Sequence, residues 1–253
     1  MSDPFSLAGK RILVTGANTG IGQGIAVSIA RAGGAVVGVG RSAMDDTVEK
    51  VAAAGGQFEA VSCDLADHAA AQAMLDRVWE EAGPLDGMVN NAGIIRRADA
   101  VDFSEADWDD VTDVNLKTVF FLSQSFARRV LAEPGRRGKI VNIASVLSFQ
   151  GGIRVASYTA SKHGVLGITR LLACEWAAKG INVNAIAPGY IETNNTEALR
   201  ADPDRSAAIL ARIPAGRWGG PEDIGDAAVF LLAPASNYMH GAVVPVDGGW
   251  LAR

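Results

Sequence analysis

The chain has 253 residues, a net charge of −5 at pH 7 and 49% apolar residues. The apolar share excludes general disorder, and the length fits one large α/β domain. The mild acidic excess and the absence of a basic run argue against nucleic acid as the main partner.

No apolar run nears the roughly 18 residues of a membrane span, so no membrane partner is expected. The start, MSDPFSLAGK, has neither the basic end nor the apolar stretch of a secretory signal. Cys63 and Cys174 sit in apolar contexts and read as buried reduced thiols, which fits a cytoplasmic location. The three histidines are scattered and no Cys/His cluster has zinc spacing, so no metal is expected.

Short β-branched runs alternate with longer amphipathic stretches. Strands are expected at 11–16, 35–40, 58–64, 87–93, 139–145, 181–188 and 243–248. Helices are expected at 20–31, 42–54, 67–82, 108–131 and 157–180, the last closed by Gly180. Strands apolar on both faces and separated by helices imply a doubly wound, seven-stranded parallel sheet, Rossmann-like, in a single domain. Residues 190–212 break the rhythm. They are polar, follow a strand end and read as a substrate lid or as a plain solvated excursion.

In such sheets ligands bind beyond the carboxyl ends of the strands. The first strand runs into Thr15-Gly16-Ala17-Asn18-Thr19-Gly20-Ile21-Gly22 and then a helix. Glycines let the chain turn sharply, and the free N–H groups of the helix start attract a pyrophosphate. The spacing G-x-x-x-G-x-G is weak evidence alone, and a plain turn is the bland reading.

Tyr158 and Lys162 are four residues apart on one helical face. A nearby cation favours the phenolate, so this pair reads as a proton donor and acceptor near neutral pH. Ser145 ends the fifth strand at the same sheet edge, where it holds a substrate oxygen or merely shapes a turn. Asn115 lies amid apolar residues of a long helix and needs partners: a water on a proton path to Lys162, or an ordinary backbone contact. Ser145 is not in a G-x-S-x-G elbow, which argues against a serine hydrolase.

These four residues and the glycine loop resemble the short-chain dehydrogenase/reductase family. Asn90-Asn91-Ala92-Gly93, Asp64 and Pro188-Gly189 add to the likeness, which runs from Gly9 to Gly249. The resemblance implies a nicotinamide dinucleotide lying across the strand ends. Gly16, Asn18, Thr19, Gly20, Ile21, Leu65, Ala92, Gly93, Pro188 and Gly189 would form its bed. Asp64 would contact adenine, Asn91 the adenosine side, and Ile191 and Thr193 the carboxamide or phosphate. Tyr158 would be the acid/base, with Lys162 on the ribose lowering the tyrosine pKa. Ser145 would orient the carbonyl, and Asn115 would carry the proton relay.

The acidic ribose anchor expected after the second strand is missing; Gly40-Arg41 stands there. Arg41 can hold a 2′-phosphate, so NADP stays open beside the NAD of the branch that the chain resembles. That branch acts on deoxy keto-sugar acids, and its likeness lies in GIIRR (93–97), SFQGGIRVASYTASK (148–162), TNNT (193–196) and VDGGWLAR (246–253). A sugar acid needs a cation for its carboxylate and amides for its hydroxyls. Arg154 is the first candidate, Arg96 and Arg97 the second, and Gln150, Asn194 and Asn195 supply amides. Gluconate, glucose or a 3-oxoacyl thioester are rival substrates for the same chemistry, and a non-catalytic dinucleotide-binding protein is a rival class. Apolar residues on several faces of 108–131 and 157–180 fit a homotetramer, as the family implies, with Trp250 or Arg253 reaching an adjoining subunit.

Overall fold

The structure is a computed structural model and describes residues 3–253. Seven strands form one parallel sheet: β1 (Arg11–Thr15), β2 (Ala35–Gly40), β3 (Gln57–Ser62), β4 (Gly87–Asn90), β5 (Gly138–Ile143), β6 (Ile181–Pro188) and β7 (Val243–Val246). Their order is β3-β2-β1-β4-β5-β6-β7, so the chain reverses its direction of winding between β1 and β4. That switch point opens a crevice at the carboxyl ends of the strands.

Alternation along the strands builds two cores. Leu13, Val37, Met88 and Ile140 face α3 (His68–Glu81) and α5 (Thr118–Ala132), where Leu75 and Phe126 are fully buried. Their neighbours Ile12, Val36, Val89 and Val141 face α1 (Gly20–Arg31) and α9 (Pro221–Leu232). Helices therefore cover both faces, as a sheet with no polar face requires. The remaining helices are α2 (Asp45–Ala53), α4 (Glu105–Thr112), α6 (Ala156–Trp176), α7 (Asn194–Ala201) and α8 (Pro203–Leu210). Asp67 starts α3 by accepting from the amides of Ala69 and Ala70 at 3.0 Å.

Several expectations change. The helix expected at 108–131 is broken: α4 passes through a π-helical turn, Asp113–Lys117, into α5. The wider turn places Asn115 at 0% exposure. Its side chain accepts from the Ile94 amide and donates to the Ile94 carbonyl, both at 2.9 Å. Helix α9 had no counterpart in the sequence reading, although Pro221-Glu222-Asp223 followed by an apolar run carries a helix-start pattern.

Residues 190–212 contain α7 and α8, and their underside is not polar. Ile209, with Tyr190, Leu199 and Leu210 partly buried beside it, joins Ile213, Trp218, Val146 and Trp250 in a small apolar core. Trp250 is 3% exposed there, within its own subunit, and Arg253 donates to the carbonyls of Ala211 and Arg212 at the end of α8. Trp250 is thus held inside the chain, and Arg253 ties the C-terminal turn to α8. Cys63 is buried as expected, but Cys174 is exposed on α6.

Candidate active site

The crevice is a cavity of about 460 Å³ that runs from Arg41 and Asp64, past the glycine loop, to Tyr158, Lys162 and the start of α7. Gly16 has φ +66°, a conformation that an L side chain rarely adopts. A Cβ on Gly22 would lie 2.0 Å from the Gly16 carbonyl oxygen, so only glycine lets the first turn of α1 close on the loop. The result is a side-chain-free cradle of amides at a helix N-terminus, suited to a pyrophosphate.

Thr15 and Asn91 brace this cradle. The Thr15 hydroxyl donates to the Val89 carbonyl and accepts from the amides of Asn91 and Ala92. The Asn91 side chain donates to the carbonyls of Thr15 and Gly16 at 2.9 and 3.2 Å. Its amide nitrogen thereby braces the loop, and Asn91 lines the cavity. The Thr193 methyl lies over Gly20, so the segment that leads into α7 touches the loop directly.

Ser145 follows β5 and caps the short turn Val146–Ser148, its hydroxyl accepting from Leu147 at 3.1 Å. Ser148, which the sequence reading did not single out, ties this turn to α6 by donating to the Lys162 carbonyl at 2.7 Å. The tie brings Ser145 beside Tyr158. Burial pushes the Tyr158 phenol above its ordinary value, while the Ser145 hydroxyl and the Arg97 guanidinium pull it down.

The Lys162 Nζ lies 5.6 Å from the Tyr158 ring centre and donates to the Ile143 carbonyl at 2.6 Å. Burial pushes Lys162 itself down to about 8. The Asn115 side chain, occupied by Ile94 and 3.4 Å from the Ser161 hydroxyl, lies outside the cavity lining.

The expected carboxylate grips separate. Arg154 adopts φ +64°, the single non-glycine positive φ among the described residues. It follows Gly151-Gly152-Ile153, and its guanidinium pairs with Asp99 at 3.1 Å, outside the cavity lining. Gln150 also lies outside the lining. Arg96 sits on the wall, but Asp107 and Asp110 answer its charge at 3.4 and 3.1 Å. Arg97 is not part of the lining either, but it donates to the carbonyl of Asn195, a lining residue, at 3.3 Å, and its charge reaches Tyr158.

A family model described as "Enoyl-(Acyl carrier protein) reductase" matches residues 16–251. A Dickeya dadantii protein named 2-dehydro-3-deoxy-D-gluconate 5-dehydrogenase is 57% identical over 249 residues, 98% of each chain. The chain belongs to the short-chain dehydrogenase/reductase family. A Bacillus subtilis relative of the same name is 50% identical over 100% of this chain and 99% of its own. Among solved structures of the family, one from Agrobacterium tumefaciens superposes with a TM-score of 0.93 at 63% identity, covering 100% of both chains. It is provisionally described as a 2-deoxy-D-gluconate 3-dehydrogenase and carries bound NADP. Another, from Beutenbergia cavernae, gives 0.95 at 52% identity over 99% of this chain and 100% of its own. It is provisionally described as an NAD(P)-dependent gluconate 5-dehydrogenase, with NADP at low occupancy. As a short-chain dehydrogenase/reductase the protein is an oxidoreductase that acts on a CH–OH/C=O pair with a nicotinamide cofactor.

Proposed function

We propose that the protein catalyses reversible oxidoreduction of a deoxy keto-sugar acid of the 2-dehydro-3-deoxy-D-gluconate type. The observation that carries this reading is the convergence, at one end of the cavity, of Tyr158 and Ser145 with two amide side chains, Asn194 and Asn195, and with Arg97 behind that lining, where it donates to the Asn195 carbonyl and its charge acts on Tyr158. The names of relatives at 50–57% identity agree with it. A fatty-acyl chain fits this mouth poorly, because its donors would be left without partners.

The glycine cradle accepts a pyrophosphate without steric conflict, and the opposite end offers Arg41 for an adenosine ribose. When bound, the nicotinamide would supply or receive the hydride. Tyr158 gives its proton to the carbonyl oxygen during reduction and accepts one during oxidation. Ser145 holds that oxygen beside the phenol. Lys162, anchored under the Tyr158 ring, takes ribose hydroxyls. Arg97 pairs with the substrate carboxylate through its planar fork. Its charge also lowers the Tyr158 pKa, so substrate binding and proton transfer share one cation.

The decisive test is an absorbance assay at the reduced-nicotinamide band with 2-dehydro-3-deoxy-D-gluconate, 2-deoxy-D-gluconate and gluconate, each with NAD and NADP. Turnover confined to gluconate would move the assignment to a gluconate dehydrogenase, the name borne by a Gluconobacter oxydans relative at 43% identity. Absence of turnover on all three would overturn the substrate class. Bound NADP in the neighbours favours NADP, and NAD use is retained as the second expectation.

Exposed Trp108, Leu131 and Leu171 on α4, α5 and α6 support association into a homotetramer, which light scattering would test. Among the described residues no helix is long and apolar enough to cross a membrane, and a cytoplasmic location is part of the proposal.

A further inference from the structure

Lys162 is gripped at two points by one short segment. Its Nζ donates to the Ile143 carbonyl at 2.6 Å, and its own backbone carbonyl accepts from the Ser148 hydroxyl at 2.7 Å. Ile143 ends β5, and Ser148 closes the turn Val146–Ser148 that follows. Ser145 lies between them. Its amide donates to the same Ser148 hydroxyl at 3.3 Å, the reciprocal half of the cap in which the Ser145 hydroxyl accepts from Leu147. Ser145 and Ser148 are both buried. One shielded hydroxyl therefore joins the Ser145 backbone to the Lys162 backbone. A serine that only capped the turn would have no need to reach α6. The shorter of its two bonds makes that crossing, to a carbonyl whose second lone pair stays available to the helix.

We propose that Ser148 is a positioning residue, which holds the Ser145 turn against α6 so that the Ser145 and Tyr158 hydroxyls meet at the reacting oxygen. The inference rests on the reading of Tyr158 as the proton donor and acceptor. Tyr158 stands one helical turn before Lys162, and the Ser161 hydroxyl donates to its carbonyl at 2.8 Å, so phenol and lysine move with one rigid stretch of α6. The hydrogen bond between Ser145 and Tyr158 spans the turn and the helix, and it pulls the phenol down. Without the Ser148 hydroxyl, the Ser145 amide becomes a buried donor with no partner, and the turn shifts to relieve it. A shift on the order of an ångström in reacting geometry costs roughly a hundredfold in rate. Loss of the Ser145 bond also weakens support for the phenolate, so Tyr158 rises.

The test compares full-length wild type, Ser148→Ala, Ser148→Thr and Tyr158→Phe in oxidation of the best substrate of the sugar-acid panel, after fluorescence titration of each with NADPH. Oxidation requires the ionised phenol, so rate rises with pH through the Tyr158 titration. Lys162 and Arg97, the cations around that phenol, are the same in every Ser148 protein. Ser148→Ala is expected to bind NADPH as the wild type does, to lose about ten- to hundredfold in plateau kcat with a smaller change in KM, and to move the rising limb to higher pH. Ser148→Thr, which restores the hydroxyl, is expected to recover both rate and limb. If Ser148→Ala lowers NADPH affinity as far as kcat, the hydroxyl holds the fold and the proposal is overturned. A slower Ser148→Ala whose limb stays in place overturns it too, because the Ser145–Tyr158 bond is then intact. Unchanged kinetics in Ser148→Ala, beside an inactive Tyr158→Phe, overturns the role of Ser148 alone. Turnover retained in Tyr158→Phe overturns the reading of the reacting pair as well.

Discussion

The Lys162 ammonium donates to the Ile143 carbonyl at 2.6 Å, at the carboxyl end of β5, with the lysine 4% exposed. Burial there lowers its pKa from 10.5 to about 8. Between these values the unfolded chain binds a proton that the folded chain does not, so stability rises with pH across that interval and is lowest below it. The stability difference between the wild type and Lys162→Met should therefore grow in favour of the wild type from pH 8 to pH 10.5. The gain is of order 3 kcal/mol from the size of the shift. Denaturant unfolding of both proteins across that range measures it, and a flat difference would mean that Lys162 keeps an ordinary ammonium.

Tyr158→Phe removes the proton donor beside Ser145 with little change in packing. kcat should fall at least about a hundredfold, the scale of general acid catalysis, while cofactor binding persists. Near-normal turnover would remove Tyr158 from the chemistry.

Arg97 and Arg154 make opposite predictions. Arg97 rests on Asn195, whereas Arg154 pairs with Asp99. Arg97→Met should raise KM about tenfold or more for acidic substrates, the loss expected of a charge-assisted pair, and leave KM for neutral alcohols nearly unchanged. It should also move the alkaline limb of the pH–rate profile upward, because the guanidinium lowers the Tyr158 pKa. Arg154→Met should leave both parameters close to wild type. Steady-state kinetics on paired acidic and neutral substrates separates the two, and a larger effect at Arg154 would reverse the assignment.

Trp250 packs 4.7 Å from the Tyr190 ring and beneath the Arg212 guanidinium at 3.9 Å, in the apolar core that also holds Val146, next to Ser145. The C-terminal turn thereby joins the 190–212 segment to the catalytic loop. Trp250→Ala should cost about 3–5 kcal/mol, as for other buried aromatics. The milder Arg253→Ala should raise substrate KM, with cofactor affinity unchanged, and speed proteolysis between residues 190 and 212. Unchanged KM and cleavage in Arg253→Ala would show that α8 holds without that contact.

Local pattern and residue chemistry determined much of this protein before any fold was known. Strand apolarity on both faces dictated the parallel sheet, and the glycine spacing marked the cradle. Tyr158 and Lys162 were paired by a four-residue interval that any helix converts into one face. These signals are legible because they depend on neighbours in sequence.

The rest depended on distant chain segments meeting. Asn115 sits in a π turn tied to Ile94, Asn91 braces Gly16, and Lys162 turns to Ile143. The Arg154 guanidinium pairs with Asp99 outside the cavity lining, and Arg97 is the arginine that rests on Asn195. The polar run at 190–212 hides an apolar underside because its partners, Val146 and Trp250, lie tens of residues away in sequence. Sequence fixes what a side chain can do; tertiary packing decides which partner reaches it first, because each buried donor, acceptor and charge takes the nearest group that spares it an unpaired state.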